Sequence, residues 1–369
     1  MHMRLWSAFA LACLAASAAA EPSLKEAYKG DFVVGAAMNA RQITGRDALG
    51  DAIIAAQFNA TSPENDLKWE RIHPSPDGYN FTIADQYVAF GAQHHMYTVG
   101  HTLIWHAQTP RWVFQGKDGQ PVSKEELLAR VRDHIFTVVG RYKGKIKAWD
   151  VINEVVGDDG KMRQSPWYNI AGEELYVKAF QWAHEADPDA ELTYNDYNIE
   201  NPQKRAEALA LVKRLKAAGA PITTVGIQGH YTLETPDLTL LDEAISEFGK
   251  LGVKVAITEL DVDVLPRPSI MGATADVFFK LAADPKMNPY VNGLPDEVQK
   301  ALADRYARVF AICLKHKDVV ERVTLWGVTD GDSWHNGWPI PGRTAYSLLF
   351  DRAGKPKPAY DAVIQAASK

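Results

Sequence analysis

Two glutamates end apolar runs in the same manner. In "IKAWDVINEVVG" (146–157) a strand-like alternation gives out at Asn153 and Glu154, and in "VKVAITELDV" (253–262) a second apolar run reaches Glu259, two residues before Asp261. A carboxylate at the end of a buried run is costly unless it is used. Two that face one cavity suit cleavage of a glycosidic bond, where one protonates the departing oxygen and the other attacks the anomeric carbon or activates water. Taken singly, each glutamate is more often a solvated first-turn helix residue; the neighbours change the balance. Asn153 supplies an amide suited to a sugar hydroxyl, and Asp261 shares a face with Glu259 if the strand continues.

Aromatic residues fit the same chemistry. Of ten tryptophans, Trp105, Trp326 and Trp334 stand near the ends of apolar runs and could offer flat faces to pyranose rings. Packing in the core is the commoner fate of any one tryptophan, and Trp149, inside a run, is expected to pack there.

Positioning these groups requires a scaffold that gathers distant run ends. The strand-like segments are "DFVVGAAM" (31–38), "FNATSP" (58–63), "YTVGHTLIW" (97–105), "IKAWDVIN" (146–153), "ELTYNDY" (191–197), "TVGIQGH" (224–230), "VKVAITEL" (253–260) and "VTLWGVTD" (323–330). Between them lie amphipathic stretches with helix punctuation. One, 123–139, opens on Ser123 and Glu126 as a capping box; another, 202–218, has Pro202 in its first turn and stops at Gly219; a last helix is expected near 357–367. Eight strands alternating with helices predict an α/β chain folded as one (β/α)8 TIM barrel, in which catalytic residues sit at the C-terminal ends of the strands. Residues 21–369 would form that single catalytic domain.

The first twenty residues, "MHMRLWSAFALACLAASAAA", set Arg4 before a short apolar run that ends on small residues, the pattern of a secretory signal cut after Ala20. The protein is therefore expected to be secreted or periplasmic, and free of the membrane once the signal is gone. Loss of the signal removes Cys13 and leaves Cys313 alone, so no intrachain disulfide is expected, and Cys313 in "YARVFAICLKH" reads as packing. A net charge of −6 argues against a nucleic-acid partner. His101 and His106, like His94 and His95, fit no zinc spacing, so neither metal nor cofactor is expected.

Read in order, "TSPENDLKWE", "GHTLIWHAQTPRW", "WDVINE", "YNDYN", "GIQGHY", "ITELDV" and "LWGVTDGDSW" resemble the successive motifs of glycoside hydrolase family 10 endo-β-1,4-xylanases. The likeness runs from about residue 30 to 360. It implies a (β/α)8 barrel that hydrolyses internal bonds of xylan with retention by double displacement. Carried over by position, it makes Glu154 the general acid/base and Glu259 the nucleophile. Asn153, Gln228 and His101 would serve the cleavage site, and His230 would bridge Glu259 and Asp261. Glu64, Asn65, Lys68, Gln108, Trp326 and Trp334 would line subsites on the non-reducing side, with xylan and xylo-oligosaccharides as partners of a monomeric enzyme. Leu67 and Ala107 stand where the family often has methionine and serine. The alternatives are a barrel glycosidase acting mainly on another β-1,4-glycan such as cellulose, and a non-catalytic glycan-binding protein.

Overall fold

The computed structural model describes residues 22–267 and 281–368. The expected signal segment lies outside the described residues, as do residues 268–280.

Strands β1 (Val33–Met38), β2 (Ala60–Pro63), β3 (Tyr97–Trp105), β4 (Ala148–Asn153), β5 (Glu191–Asp196), β6 (Thr224–Ile227), β7 (His230–Thr232), β8 (Lys254–Asp263) and β9 (Val320–Leu325) run parallel in one sheet. The spatial order is β6-β5-β4-β3-β2-β1-β9-β8-β7, and pairing of β6 with β8 closes the ring. It is a closed (β/α)8 barrel. The nine strands fill eight positions because β6 and β7 share one: Thr224–Ile227 pair with the first half of β8, and His230–Thr232 with its last three residues. The continuous strand expected at 224–230 is therefore broken. Gly229, at φ +83°, adopts a backbone that side-chain-bearing residues avoid, and Gln228 turns its N–H to the Asp196 carbonyl at 3.0 Å.

Parallel strands covered on both faces should be apolar throughout. All of β4 is buried, and so are Lys254's nine successors in β8. Fully enclosed Val151, Ile152, Val255 and Ile257 each stabilise the fold by roughly 1.5–3 kcal/mol relative to exposure. Trp149 is wholly buried, and Cys313 lies in the core. Gly100 on β3 pairs with Trp149 on β4, whose ring lies 2.2 Å from where a Cβ on residue 100 would stand.

The helix from Lys124 to Arg141 starts where its cap predicts, with the Ser123 hydroxyl accepting the Glu126 N–H at 3.2 Å. The capping box is only half formed, because the Glu126 carboxylate bonds Arg130 one turn on instead. The helix Pro202–Ala217 ends before Gly219 at φ +77°, and the C-terminal helix spans Pro358–Ala366. The last barrel strand runs earlier than expected: β9 stops at Leu325, and the 326–330 portion of "VTLWGVTD" leaves the ladder through Gly327 at φ +132°.

Candidate active site

The C-terminal ends of the strands open into a cleft of about 840 Å³. Glu154 follows β4 directly, and Glu259 lies within β8, which continues through Asp261 to Asp263. His101 and Trp105 come from β3, Gln228 from the β6–β7 break, His230 from the start of β7 and Trp326 from just after β9. Trp334 opens a short 3₁₀ turn, and Glu64, Asn65 and Lys68 follow β2. All of these line the cleft, together with Asn153 and Gln108. Of the residues the sequence singled out, Asp261 alone stands behind the wall.

Glu259 is almost enclosed, at 5% exposed. One carboxylate oxygen accepts from Asn195 Nδ2 at 2.8 Å, and the other lies 3.2 Å from His230 Nε2. His230 Nδ1 in turn faces Asp261 Oδ2 at 3.1 Å. Asp261 is itself fixed by the Trp334 indole N–H at 2.7 Å and by His335 Nε2 at 3.2 Å. Burial works against a charged imidazole, but the two flanking carboxylates prevail and raise the His230 pKa to about 10. Burial likewise opposes ionisation of Glu259 and Asp261. The His230 hydrogen bond and the nearby His101 nevertheless hold Glu259 below the usual carboxylate range, and His230 with His335 holds Asp261 far below it. The arrangement keeps Glu259 deprotonated and aimed.

Glu154 is set differently. Its side chain is 14% exposed against 7% for Glu259, and its backbone is left-handed at φ 56°. Its N–H donates to the Asn195 carbonyl at 2.9 Å, and Oε1 accepts from Gln228 Nε2 at 3.0 Å. His106, expected to have no metal role, stands 3.8 Å from its second oxygen. His101 is instead tied to Asp150 at 2.8 Å. Among the described residues no group of three or more His, Cys, Asp or Glu side chains is placed to hold a metal ion.

Asn195 joins the two halves. Its Oδ1 accepts from Thr258 at 2.6 Å, which turns Nδ2 toward the Asn153 side-chain amide and Glu259 Oε1, both at 2.8 Å. Also in the cleft, Lys68 Nζ donates to Asn65 and Gln108, each at 3.0 Å, and lies 4.6 Å from the centre of the Trp105 ring. Burial lowers the Lys68 pKa, opposed by Glu259 and Glu64; burial raises that of Glu64, opposed by Lys68. The result is a floor of polar groups with fixed orientation beside aromatic faces, suited to a ring that carries several hydroxyls.

Four cleft residues escaped the sequence reading: Tyr197, Asn198, Arg267 and Trp338. Asn195 and His335 escaped as supports. "YNDYN" closes the strand-like run at 191–197, but its alternation alone does not say which amide turns inward.

A parallel barrel whose strand ends present two carboxylates, one enclosed and one reachable, across a tryptophan-lined cleft defines a glycoside hydrolase. Residues 23–366 match the sequence model of Glycosyl hydrolase family 10, and the chain belongs to that family. It is similar to endo-1,4-beta-xylanase A of Xylanibacter ruminicola, 46% identical over 352 residues that make up 95% of each chain. A beta-1,4-xylanase of Dictyoglomus thermophilum is 43% identical over 346 residues, 93% of this chain and 91% of that one. Among solved structures, a family 10 endoxylanase retrieved from sugarcane soil metagenome superimposes with a TM-score of 0.88 at 46% identity, covering 94% of this chain and 99% of that one.

Proposed function

We propose that the protein is a retaining endo-1,4-β-xylanase that cleaves internal xylosidic bonds by double displacement. The observation that carries this reading is the pair of unlike environments: Glu259 held ionised between Asn195 and His230, and Glu154 more open in the same cleft. In the first step a Glu259 oxygen attacks the anomeric carbon, the bond to the leaving oxygen breaks, and Glu154 gives that oxygen its proton. In the second, the Glu154 carboxylate takes a proton from water, which attacks the same carbon and frees Glu259. Lys68, Asn65, Glu64 and Gln108 would orient hydroxyls on the non-reducing side, with Trp326 and Trp334 as apolar walls.

Xylan as the substrate is supported by the xylanases named above, which share nearly the full length of the chain. Action on cellulose is the competing reading, since a carboxylate pair does not choose the sugar. Reducing-sugar release from xylan and from carboxymethylcellulose separates them: release much faster from xylan is expected, and faster release from the cellulose derivative would overturn the assignment. A purely glycan-binding role is disfavoured by the presence of both carboxylates and would appear as binding without any release. Export on the N-terminal signal, and action as a monomer, complete the proposal; the mature N-terminus of the recovered protein and its sedimentation test them.

A further inference from the structure

We propose that Arg163 is a positioning residue for proton delivery, clamping Glu154 in the backbone conformation from which it reaches the leaving group; this rests on the reading of Glu154 as the acid/base. A left-handed backbone costs a residue such as glutamate about 1–3 kcal/mol and persists only where the surroundings over-determine it. At Glu154 (φ 56°) the restraints come from both sides. Before it, the N–H is held by the Asn195 carbonyl at 2.9 Å. After it, the carbonyl accepts from Arg163 Nε at 2.7 Å, and the Arg163 N–H returns to the Val155 carbonyl at 2.8 Å.

The same guanidinium sends Nη2 to the Tyr197 hydroxyl at 2.9 Å, tying the Glu154 peptide to a residue that lines the cleft. Its planar fork satisfies both partners in a fixed geometry, which a single ammonium cannot do. Asp196, buried beneath, holds the next turn by accepting the Val156 N–H at 3.2 Å. Of these restraints, Arg163 supplies the side-chain donor to the Glu154 peptide itself. Without it the carbonyl loses that donor, φ can relax to negative values, and the carboxyl swings away from Gln228.

The consequence is selective. An ordinary xylosidic oxygen must be protonated as its bond to carbon breaks, whereas dinitrophenolate leaves as a stable anion without a proton. A misplaced acid therefore slows the first substrate and spares the second, and kcat/KM reports that first step for both. A general collapse of the cleft would slow the two together.

The test compares kcat/KM on xylotetraose and on 2,4-dinitrophenyl β-xylobioside for the full chain, Arg163→Gln, Arg163→Lys and Glu154→Gln. General acid assistance is worth about 10²–10⁴-fold. Arg163→Gln is expected to lose roughly 10²-fold on xylotetraose and far less on the aryl substrate, with Arg163→Lys intermediate and showing the same split. Should Arg163→Gln fail to fold, Arg163→Lys carries the comparison. Parallel losses on both substrates, or no loss, would overturn the proposal while Glu154→Gln still showed the split. If Glu154→Gln itself showed no split, the acid/base assignment would fall, and this proposal with it.

Discussion

Gln228 touches Glu154 and Glu259 at once: its side-chain amide donates to Glu154 Oε1 at 3.0 Å, and its carbonyl accepts the Glu259 N–H at 2.8 Å. The break in the sixth barrel position thus sets one carboxylate through a side chain and the other through the backbone. Gln228→Ala removes only the first contact. An ordinary hydrogen bond contributes about 0.5–1.5 kcal/mol, which corresponds to roughly a 2- to 10-fold fall in kcat/KM. Initial rates on xylotetraose check this, with thermal unfolding close to that of the parent as the sign that the barrel is intact.

The two carboxylates differ in what an added anion can do when each is removed. Glu259→Ala should bind xylo-oligosaccharides yet scarcely turn over. Azide entering the vacated space on an activated aryl xyloside should give an α-glycosyl azide. Glu154→Ala keeps its nucleophile, so azide acts on the second step and gives the β product. Proton NMR of the product anomer decides; a β azide from Glu259→Ala would reverse the assignment.

His230 links stability to pH. It stays protonated in the fold up to about pH 10, against about 6.5 for an unfolded histidine. With the folded value the higher, the stability it contributes is complete below about pH 6.5 and is lost as pH rises toward 10. Glu259 and Asp261 act at the other end: their lowered values give stability that is present above the ordinary carboxylate range and lost as pH falls from that range toward their lower folded values. His230→Gln, which strands two buried carboxylates, should cost about 3–5 kcal/mol near neutrality. It should also flatten the alkaline decline in melting temperature. Calorimetry between pH 6 and 10 would show parallel curves for parent and variant if His230 were uncharged.

Gly100 faces the Trp149 ring so closely that a methyl group would overlap it at 2.2 Å. Overpacking of this kind costs about 1–3 kcal/mol, so Gly100→Ala should lower the melting temperature by several degrees. Gly30→Ala gives no such clash, since nothing lies within 4 Å of its added Cβ, although its φ of +94° carries a backbone strain of its own. Near-equal melting temperatures for Gly100→Ala and the parent would mean that Trp149 can move.

Much of this architecture was legible in the chain because fully buried parallel strands are written as apolar runs: "YTVGHTLIW" coincides with β3 from Tyr97 to Trp105. The polar ends of those runs likewise pointed to Glu154 and Glu259. Legibility failed where geometry depends on partners far away in sequence. The split between β6 and β7 hinges on a glycine dihedral and on Asp196, and Asn195 acquires its role from Thr258, separated from it by 63 residues. Arg163 sits in a loop whose composition carries no sign of its target. Trp334 was expected as a sugar platform, and its indole N–H also supports Asp261, a second duty that no spacing encodes.

The closure of β6 on β8 has a meaning beyond catalysis. Among the described residues, a sheet joined to itself offers neighbouring molecules almost no row of unpaired backbone donors and acceptors, and the outlying strand β7 is only three residues long. Strand-by-strand addition between copies therefore has little to start from. Copies held at high local concentration therefore meet few strand edges on which to template one another.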